Sequence, residues 1–292
     1  VTDLSMLEST VYHRLGAWAS VDGEALTVHL DPTPLLCHHG MVRIGVLAYL
    51  VDVVAVIPID VDPDAWTFTS DLSVRARPVA DPGRLQAHSR TLRRGARSVV
   101  CSVTITDGTG NEIAAATVGF SRVARRAGDP PKPEVSLALA SRLVGGPERL
   151  TTPLRVAAGI VSIDPVGGVV EVAMTPEVRN AAGTLHGALV ACVAEAAAED
   201  LLAARADGPV VVVDLDVRYL AQTGSGPLRT SARLLGADAG APVEVTVTDI
   251  STGRVTAHAF ARGVGIGVGV GAGAGARRRD RGSAHDPARR RT

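Results

Sequence analysis

Aromatic residues make up only 3% of the 292-residue chain: two tryptophans, three tyrosines and three phenylalanines. So few flat side chains exclude the stacking platforms on which single-stranded nucleic acids are held. An excess of one charge is also missing. Thirty basic and 30 acidic residues give a formal net charge of zero, so composition does not draw the molecule to nucleic acid or to an anionic membrane. Cysteine is scarce and odd in number (Cys37, Cys101 and Cys192), with no Cys-x-x-Cys pair. That argues against a disulfide scaffold and against a zinc site. No run approaches the ~18 consecutive apolar residues of a membrane span. The opening "VTDLSMLEST" carries acids where a signal peptide would be apolar. These absences lead to the expectation of a soluble, cytoplasmic protein with no membrane or nucleic-acid partner.

What the chain does have is apolar mass. Hydrophobic residues are 46% and charged residues 21%, on a length sufficient for two domains. "RRAGDPPKPE", Arg125 to Glu134, is a Pro-rich charged linker, and a short helix is expected near Val135–Leu143. After it "GGPERLTTP" breaks the chain again. The end is a Gly/Ala run followed by an Arg-rich tail, expected to be disordered from residue 266 to 292. The chain therefore divides into 1–124, a linker at 125–150, 151–265, and the tail.

The two long segments resemble each other at a constant offset of 143 residues. Asp71, Leu72 and Arg75 fall on Asp214, Leu215 and Arg218; Gly16 falls on Gly159 and Gly40 on Gly183. "GVLAYLVD" falls on "ALVACVAE". Each segment opens with two β-like runs, Tyr12–Ser20 and Glu24–Leu30, then Arg155–Ile163 and Val169–Met174. A long apolar helix follows, about Val42–Ile57 and Leu185–Ala206. Four alternating β-branched segments close each unit: Thr67–Arg77, Arg84–Arg94, Ser98–Thr106 and Glu112–Arg122, against Val210–Leu220, Leu228–Leu235, Val243–Asp249 and Arg254–Val264. Short gaps imply antiparallel pairing. "IGVLAYLVDVVAVI" is apolar on nearly every side, so its helix must be wrapped rather than laid on a surface. The expected class is α+β: two tandem repeats, each an antiparallel sheet wrapped around one central helix.

A sheet curled about one long helix resembles the hotdog fold. Within it, "NAAGTLHGALVACVAE" is similar to the signature of PaaI-type acyl-CoA thioesterases: an Asn, then Gly-Thr-x-His-Gly, then a carboxylate eight residues on. Asn180, Gly183, Thr184, His186, Gly187 and Glu195 match it, and "VVVVDLDVRYLAQTG" resembles the strand after the helix. The resemblance covers most of the second segment and reaches the first only through it. It implies hydrolysis of an acyl-CoA thioester with no metal or redox cofactor, CoA entering only as part of the substrate. It also implies an intrachain pseudo-dimer that pairs again as a homo-oligomer. A non-catalytic acyl-CoA-binding scaffold and, less favoured, an enoyl-CoA hydratase built on "DPTPLLCHHG" are the alternatives.

Thioester hydrolysis needs donors that polarise the carbonyl and a group that attacks or activates water. Gly187 opens a helix, whose free N–H groups suit an oxyanion. Glu195 lies eight residues along the same helix, about 12 Å away, too far to share one reacting carbon. The carboxylate must come from an opposed helix, and in the family two subunits supply the two halves. Here the aligned carboxylate of the first repeat is Asp52, with Thr69 where the family places a hydroxyl. The donor positions of that repeat hold Cys37, Arg43 and Ile44. The expected site joins Asp52 and Thr69 to Asn180, His186 and Gly187. Glu195, Cys37 and Arg43 mark a degenerate second site, with Glu195 paired to Arg43. Taken singly, Asn180 reads as a turn residue, His186 as a structural histidine and Thr69 as strand filler; their joint spacing makes them a site. The helix side bearing Glu195, Glu199 and Asp200 reads equally well as solvent-facing. A metal reading of "CHHG" has no second cluster to complete it, and Arg93, Arg94 and Arg97 read as surface charge or as phosphate contacts.

Overall fold

The computed structural model describes residues 5–206, 208–236 and 240–266, so the expectation for the tail lies outside the described residues. Helices are α1 (Ser5–Glu8), α2 (Ile44–Val56), α3 (Ala140–Val144), α4 (Leu154–Ala157) and α5 (Gly187–Ala203). Strands in the first half are β1 (Trp18–Asp22), β2 (Ala25–Leu30), the two-residue pair β3 (Cys37–His38) and β4 (Met41–Val42), then β5 (Ala65–Ala76), β6 (Leu85–Arg94), β7 (Ser98–Thr106) and β8 (Glu112–Ala124). Those in the second half are β9 (Ile160–Asp164), β10 (Val169–Val172), β11 (Val210–Tyr219), β12 (Leu228–Leu234), β13 (Val243–Asp249) and β14 (Arg254–Gly265).

Twelve strands form one sheet in the order β1-β2-β6-β7-β8-β5-β11-β14-β13-β12-β10-β9, every neighbouring pair antiparallel. The order reads the same from either end once each strand is exchanged for its counterpart. The seam is β5 against β11, with Arg75 opposite Asp214 and Asp71 opposite Arg218. Both seam strands carry a bulge at matching positions, Ser70 and Val213. A bulge bends its strand and re-aims the local side chain.

The sheet encloses α2 and α5, which pack against each other and against strands of both halves. Every residue of α2 from Ile44 to Ala55 is buried, and α5 is buried from Ala188 to Glu199. Wrapping explains why neither helix shows a polar face. Fully burying each Val, Leu or Ile in them contributes roughly 1.5–3 kcal/mol, so these two helices are the centre of the one large core.

The opening runs of each half are not strand throughout. Tyr12–Leu15 is a 3-10 turn and Leu154–Ala157 a helical turn, each followed by a glycine at positive φ, Gly16 at 89° and Gly159 at 65°. Tyr12, His13 and Leu15 are all buried, a pattern that alternation cannot produce, and the left-handed glycine ends the turn and releases the chain into the strand. The linker helix spans Leu137–Val144 as a 3-10 turn running into α3. Lys132 pins the linker ahead of it: its Nζ, almost fully buried, donates to Asp60 Oδ1 and to the carbonyls of Asp60, Asp62 and Ala65.

The two helices touch most closely at Gly45. A Cβ there would sit 2.3 Å from Cys192 Sγ and 3.1 Å from Cys192 Cα. Gly45→Ala must push α2 off α5 and is expected to cost roughly 1–3 kcal/mol, read as a lower denaturation midpoint. An unchanged midpoint would show that the helices do not meet so tightly.

Candidate active site

The close approach at Gly45 runs the helices in opposite directions. The N-terminus of α2 lies beside the middle of α5, and the N-terminus of α5 lies beside the second half of α2, which holds Asp52, and beside Thr69 of β5. Two junctions result, and they differ.

At the first, a cavity of about 310 Å³ is lined by Asp52, Thr69, Asn180, His186 and Gly187 together. Asp52 is 8% exposed, and its Oδ1 accepts a hydrogen bond from Thr69 Oγ1 at 2.7 Å. Burial pushes its carboxyl up to about 6, partly offset by the Thr69 hydroxyl. Gly187 is the first residue of α5, and its N–H has no acceptor among the described residues. A Cβ on Gly187 would stand 3.3 Å from Thr69 Oγ1, so glycine leaves the space between the donor and the Asp52–Thr69 pair clear.

The loop before α5 is built by its own side chains. Asn180 Oδ1 accepts from the N–H groups of Ala182 (3.0 Å) and Thr184 (3.1 Å), and its Nδ2 donates to Thr184 Oγ1. One amide hydrogen of Asn180 remains for the cavity. His186 is the N-cap of α5: its Nδ1 accepts from Ala188 N at 3.2 Å, which leaves the proton on Nε2. Burial, with His13 nearby, lowers this imidazole to about 4, so it is neutral at working pH. The Tyr12 ring centroid lies 4.3 Å from that of His186 and stacks on Tyr49 at 4.7 Å, packing the histidine from behind α5's first turn. Tyr219 also lines the cavity and donates from its hydroxyl to Gly187 O at 2.9 Å.

The second junction is shut. Glu195, one methylene longer than Asp52, reaches the α2 terminus itself. Its Oε1 accepts from Ile44 N at 3.0 Å and its Oε2 from Gly45 N at 3.1 Å. Arg43 replaces the capping histidine and lies 3.8 Å from Glu195, but its closer ion pair is with Glu199, at 2.7 Å. Only about 10 Å³ of space remains there, lined by Arg43, Arg155, Cys192 and Glu195 among others. Cys37 is not on that lining; its Sγ donates to Thr33 O. Burial pulls Arg43 down, but Glu195 and Glu199 together outweigh it, so the net shift is upward and the guanidinium stays charged. Burial and the adjacent Glu195 raise Glu199, whose Oε1 has no partner among the described residues. The expectation that this helix side could face solvent is corrected: Glu195 is 1% and Glu199 3% exposed. A helix apolar elsewhere can bury these acids because Arg43 and two backbone N–H groups meet them.

The two mouths differ in the same sense. Phe68, Ser70 and Thr184 line the open cavity. Their counterparts at the same offset, Val211, Val213 and Met41, pack into a small separate apolar cluster. The segment "DPTPLLCHHG" lies on this closed side, where His38 Nδ1 accepts from Arg43 Nη2 at 3.2 Å.

Sequence reasoning passed over Tyr12, Tyr49, Tyr219 and Glu199. Tyr219 lies within the strand motif already singled out, and scarcity was the available signal: these are the only three tyrosines of the chain.

With this geometry established, comparison with solved structures identifies the architecture as that of a hotdog-fold protein. A conserved protein of unknown function with hot dog fold from Alicyclobacillus acidocaldarius superposes with a TM-score of 0.55 at 15% identity, covering 91% of this chain and 99% of that one. The tesB protein of Mycobacterium avium subs paratuberculosis gives 0.60 at 14% identity, covering 88% and 98%. An acyl-ACP thioesterase from Bacteroides thetaiotaomicron gives 0.56 at 12% identity, covering 82% and 98%. No family model and no curated protein matches the sequence. Among the described residues no helix is long and apolar enough to cross a membrane.

Glu195→Gln removes the ion that joins α5 to the α2 terminus and leaves Ile44 or Gly45 N–H without an acceptor. It is expected to cost roughly 1–3 kcal/mol in chemical denaturation. An unaltered stability would mean the junction is not held by that carboxylate.

Proposed function

We propose that this chain is a tandem hotdog pseudo-dimer that hydrolyses an acyl-CoA thioester to free acid and CoA at one composite site. The observation carrying this reading is the opposition of Asp52–Thr69 to the unpartnered Gly187 N–H across an accessible cavity. The likeness in fold to thioesterases supports it.

In this reading the thioester oxygen accepts from Gly187 N–H at the positive end of α5, which stabilises the oxyanion as it forms. Asn180 holds the turn and offers its remaining amide hydrogen to water or to the carbonyl. His186, neutral and used as the cap, orients the Gly187 peptide. Asp52 takes a proton from the water that attacks the carbonyl carbon, or attacks that carbon itself to give an anhydride that water then hydrolyses to the free acid, and Thr69 aims it. The CoA thiolate leaves and is protonated from solvent. No metal or redox group is needed for these steps. Glu195, Arg43 and Cys37 take no part in turnover, and the pseudo-dimer pairs again as a homo-oligomer.

The test is thiol release from short, long and aryl acyl-CoAs by wild type, Asp52→Asn and Glu195→Gln. Asp52→Asn is expected to lose about 10²-fold or more in kcat, while folded Glu195→Gln keeps its rate. Loss in Glu195→Gln alone would place the working acid in the second helix. No release by wild type from any acyl-CoA would leave a binding scaffold as the reading.

Because Asp52 must be ionised to act, kcat/KM should rise with pH through about 6 and then level. A profile flat from pH 5 to 8, roughly a unit below to two units above that midpoint, would sink the assignment. The same shift has a stability consequence. Burial raises Asp52 from its ordinary 3.8 to about 6, so the folded state binds this proton more tightly than the unfolded chain. Stability therefore falls as pH rises through that window, by roughly 3 kcal/mol for two units. Asp52→Asn should raise Tm at neutral pH while abolishing turnover; a lower Tm would mark it as a merely structural residue.

A further inference from the structure

We infer that the arginines of the β6–β7 hairpin, Arg93, Arg94 and Arg97, are the landing site for the phosphates of the substrate's CoA. The inference rests on the thioesterase reading and names the end of the substrate that the cavity does not hold.

The hairpin turn is tight, closed by Gly95 N donating to Ser98 O at 2.8 Å. Arg93, Arg94 and Arg97 at it, and Arg90 further back on β6, are all exposed, and none has a side-chain hydrogen bond or ion pair among the described residues. No acidic residue occurs from Arg84 to Thr106, nor along β8 after Glu112. Three guanidinium groups at one short turn, with a fourth behind them on β6, make a local positive field with no acid to offset it, which favours an anion. Guanidinium groups suit phosphate, which they bind in a bidentate fork.

The turn stands beside the open mouth. Arg97 O accepts from Arg122 N at 2.9 Å, and Arg122 pairs with Thr67, which lines the cavity. Two strand spacings, about 10 Å, therefore separate the turn from the rim. A pantetheine arm has the reach of roughly four extended residues, ~14 Å, and spans that gap. Along the way Val123, exposed and also on the cavity, offers the arm an apolar surface.

The molecule contains its own control. The corresponding connection near the closed mouth, between β12 and β13, reads "LGADAGAP", with one acid and no base. Arg233, the counterpart of Arg90, is paired there to Glu244. Basic charge is thus concentrated at the mouth that is open. An acidic carrier protein fits this surface less well than a nucleotide. Such a partner covers about 800 Å², more than one short hairpin turn presents.

The test compares one acyl group carried by CoA and by N-acetylcysteamine, which lacks phosphate, in wild type and in Arg93→Ala/Arg94→Ala/Arg97→Ala. All three arginines are exposed, so the fold is retained. KM for acyl-CoA should rise roughly tenfold or more with kcat unchanged, and kinetics on the cysteamine thioester should not move. Calorimetry with desulfo-CoA, which needs no turnover, should show the same weakening, so a failure of hydrolysis is distinguishable from a failure of this site. Equal losses on both thioesters, or unaltered desulfo-CoA affinity, would overturn the inference. So would a wild type that prefers the acyl-carrier-protein thioester and loses that preference in the triple variant.

Discussion

The antiparallel contact between α2 and α5 is the constraint from which the rest of the molecule follows. Each helix is apolar all round, so each must be enclosed, and enclosing both in one sheet brings them side by side. Gly45 lets them come close enough that the first turn of one lies against the middle of the other. Every carboxylate placed mid-helix then faces a set of unsatisfied N–H groups across the interface. The fold thereby creates two equivalent anion sites before any chemistry is specified.

What each site becomes depends on one methylene group. Glu195 is long enough to fill the α2 terminus with its own carboxylate, accepting from two N–H groups. Asp52 stops short, turns one oxygen to Thr69, and leaves Gly187 N–H open. The closed junction therefore shows a helix terminus with a carboxylate seated on it, and in the proposed reading the open one receives an external oxygen anion in the same way. The surroundings have followed the same division. Met41, Val211 and Val213 fill one mouth, while Thr184, Phe68 and Ser70 line the other. Arg43 serves as counter-ion where the site is shut, and a neutral histidine caps the helix where it is open.

Much of this arrangement was legible before any coordinates. The 143-residue offset brings Asp52 into alignment with Glu195 and Thr69 with Val212, and the helix rise alone shows that no helix can complete its own site. The five residues expected together do line one cavity. The missing parts were those whose role depends on partners far away in the chain. Tyr12 meets His186 from a turn that alternation misread as strand, and Glu199 takes the Arg43 ion pair one turn beyond the residue expected to hold it. Asn180 was legible as a residue of the site, but its local hydrogen bonds, which make it chiefly the builder of the loop, were not. Burial of the Glu195 face also could not be read from periodicity, because an acid on a helix enclosed on all sides resembles an acid on one that reaches water.

Carrying both junctions in one chain also changes what each of them must achieve. In an assembly of identical subunits every junction carries the same residues, so each must tolerate the cost of an exposed donor and a partly desolvated acid. Here the cost is confined to one junction, where burial holds Asp52 near 6 and Gly187 N–H lacks an acceptor. The other has both α2 donors satisfied and its guanidinium paired, and it ties the two halves together through the middle of the core. Asymmetry of this kind does not require the second site to be decaying. A filled junction can support, through the shared α2–α5 contact, the geometry of the one that stays accessible.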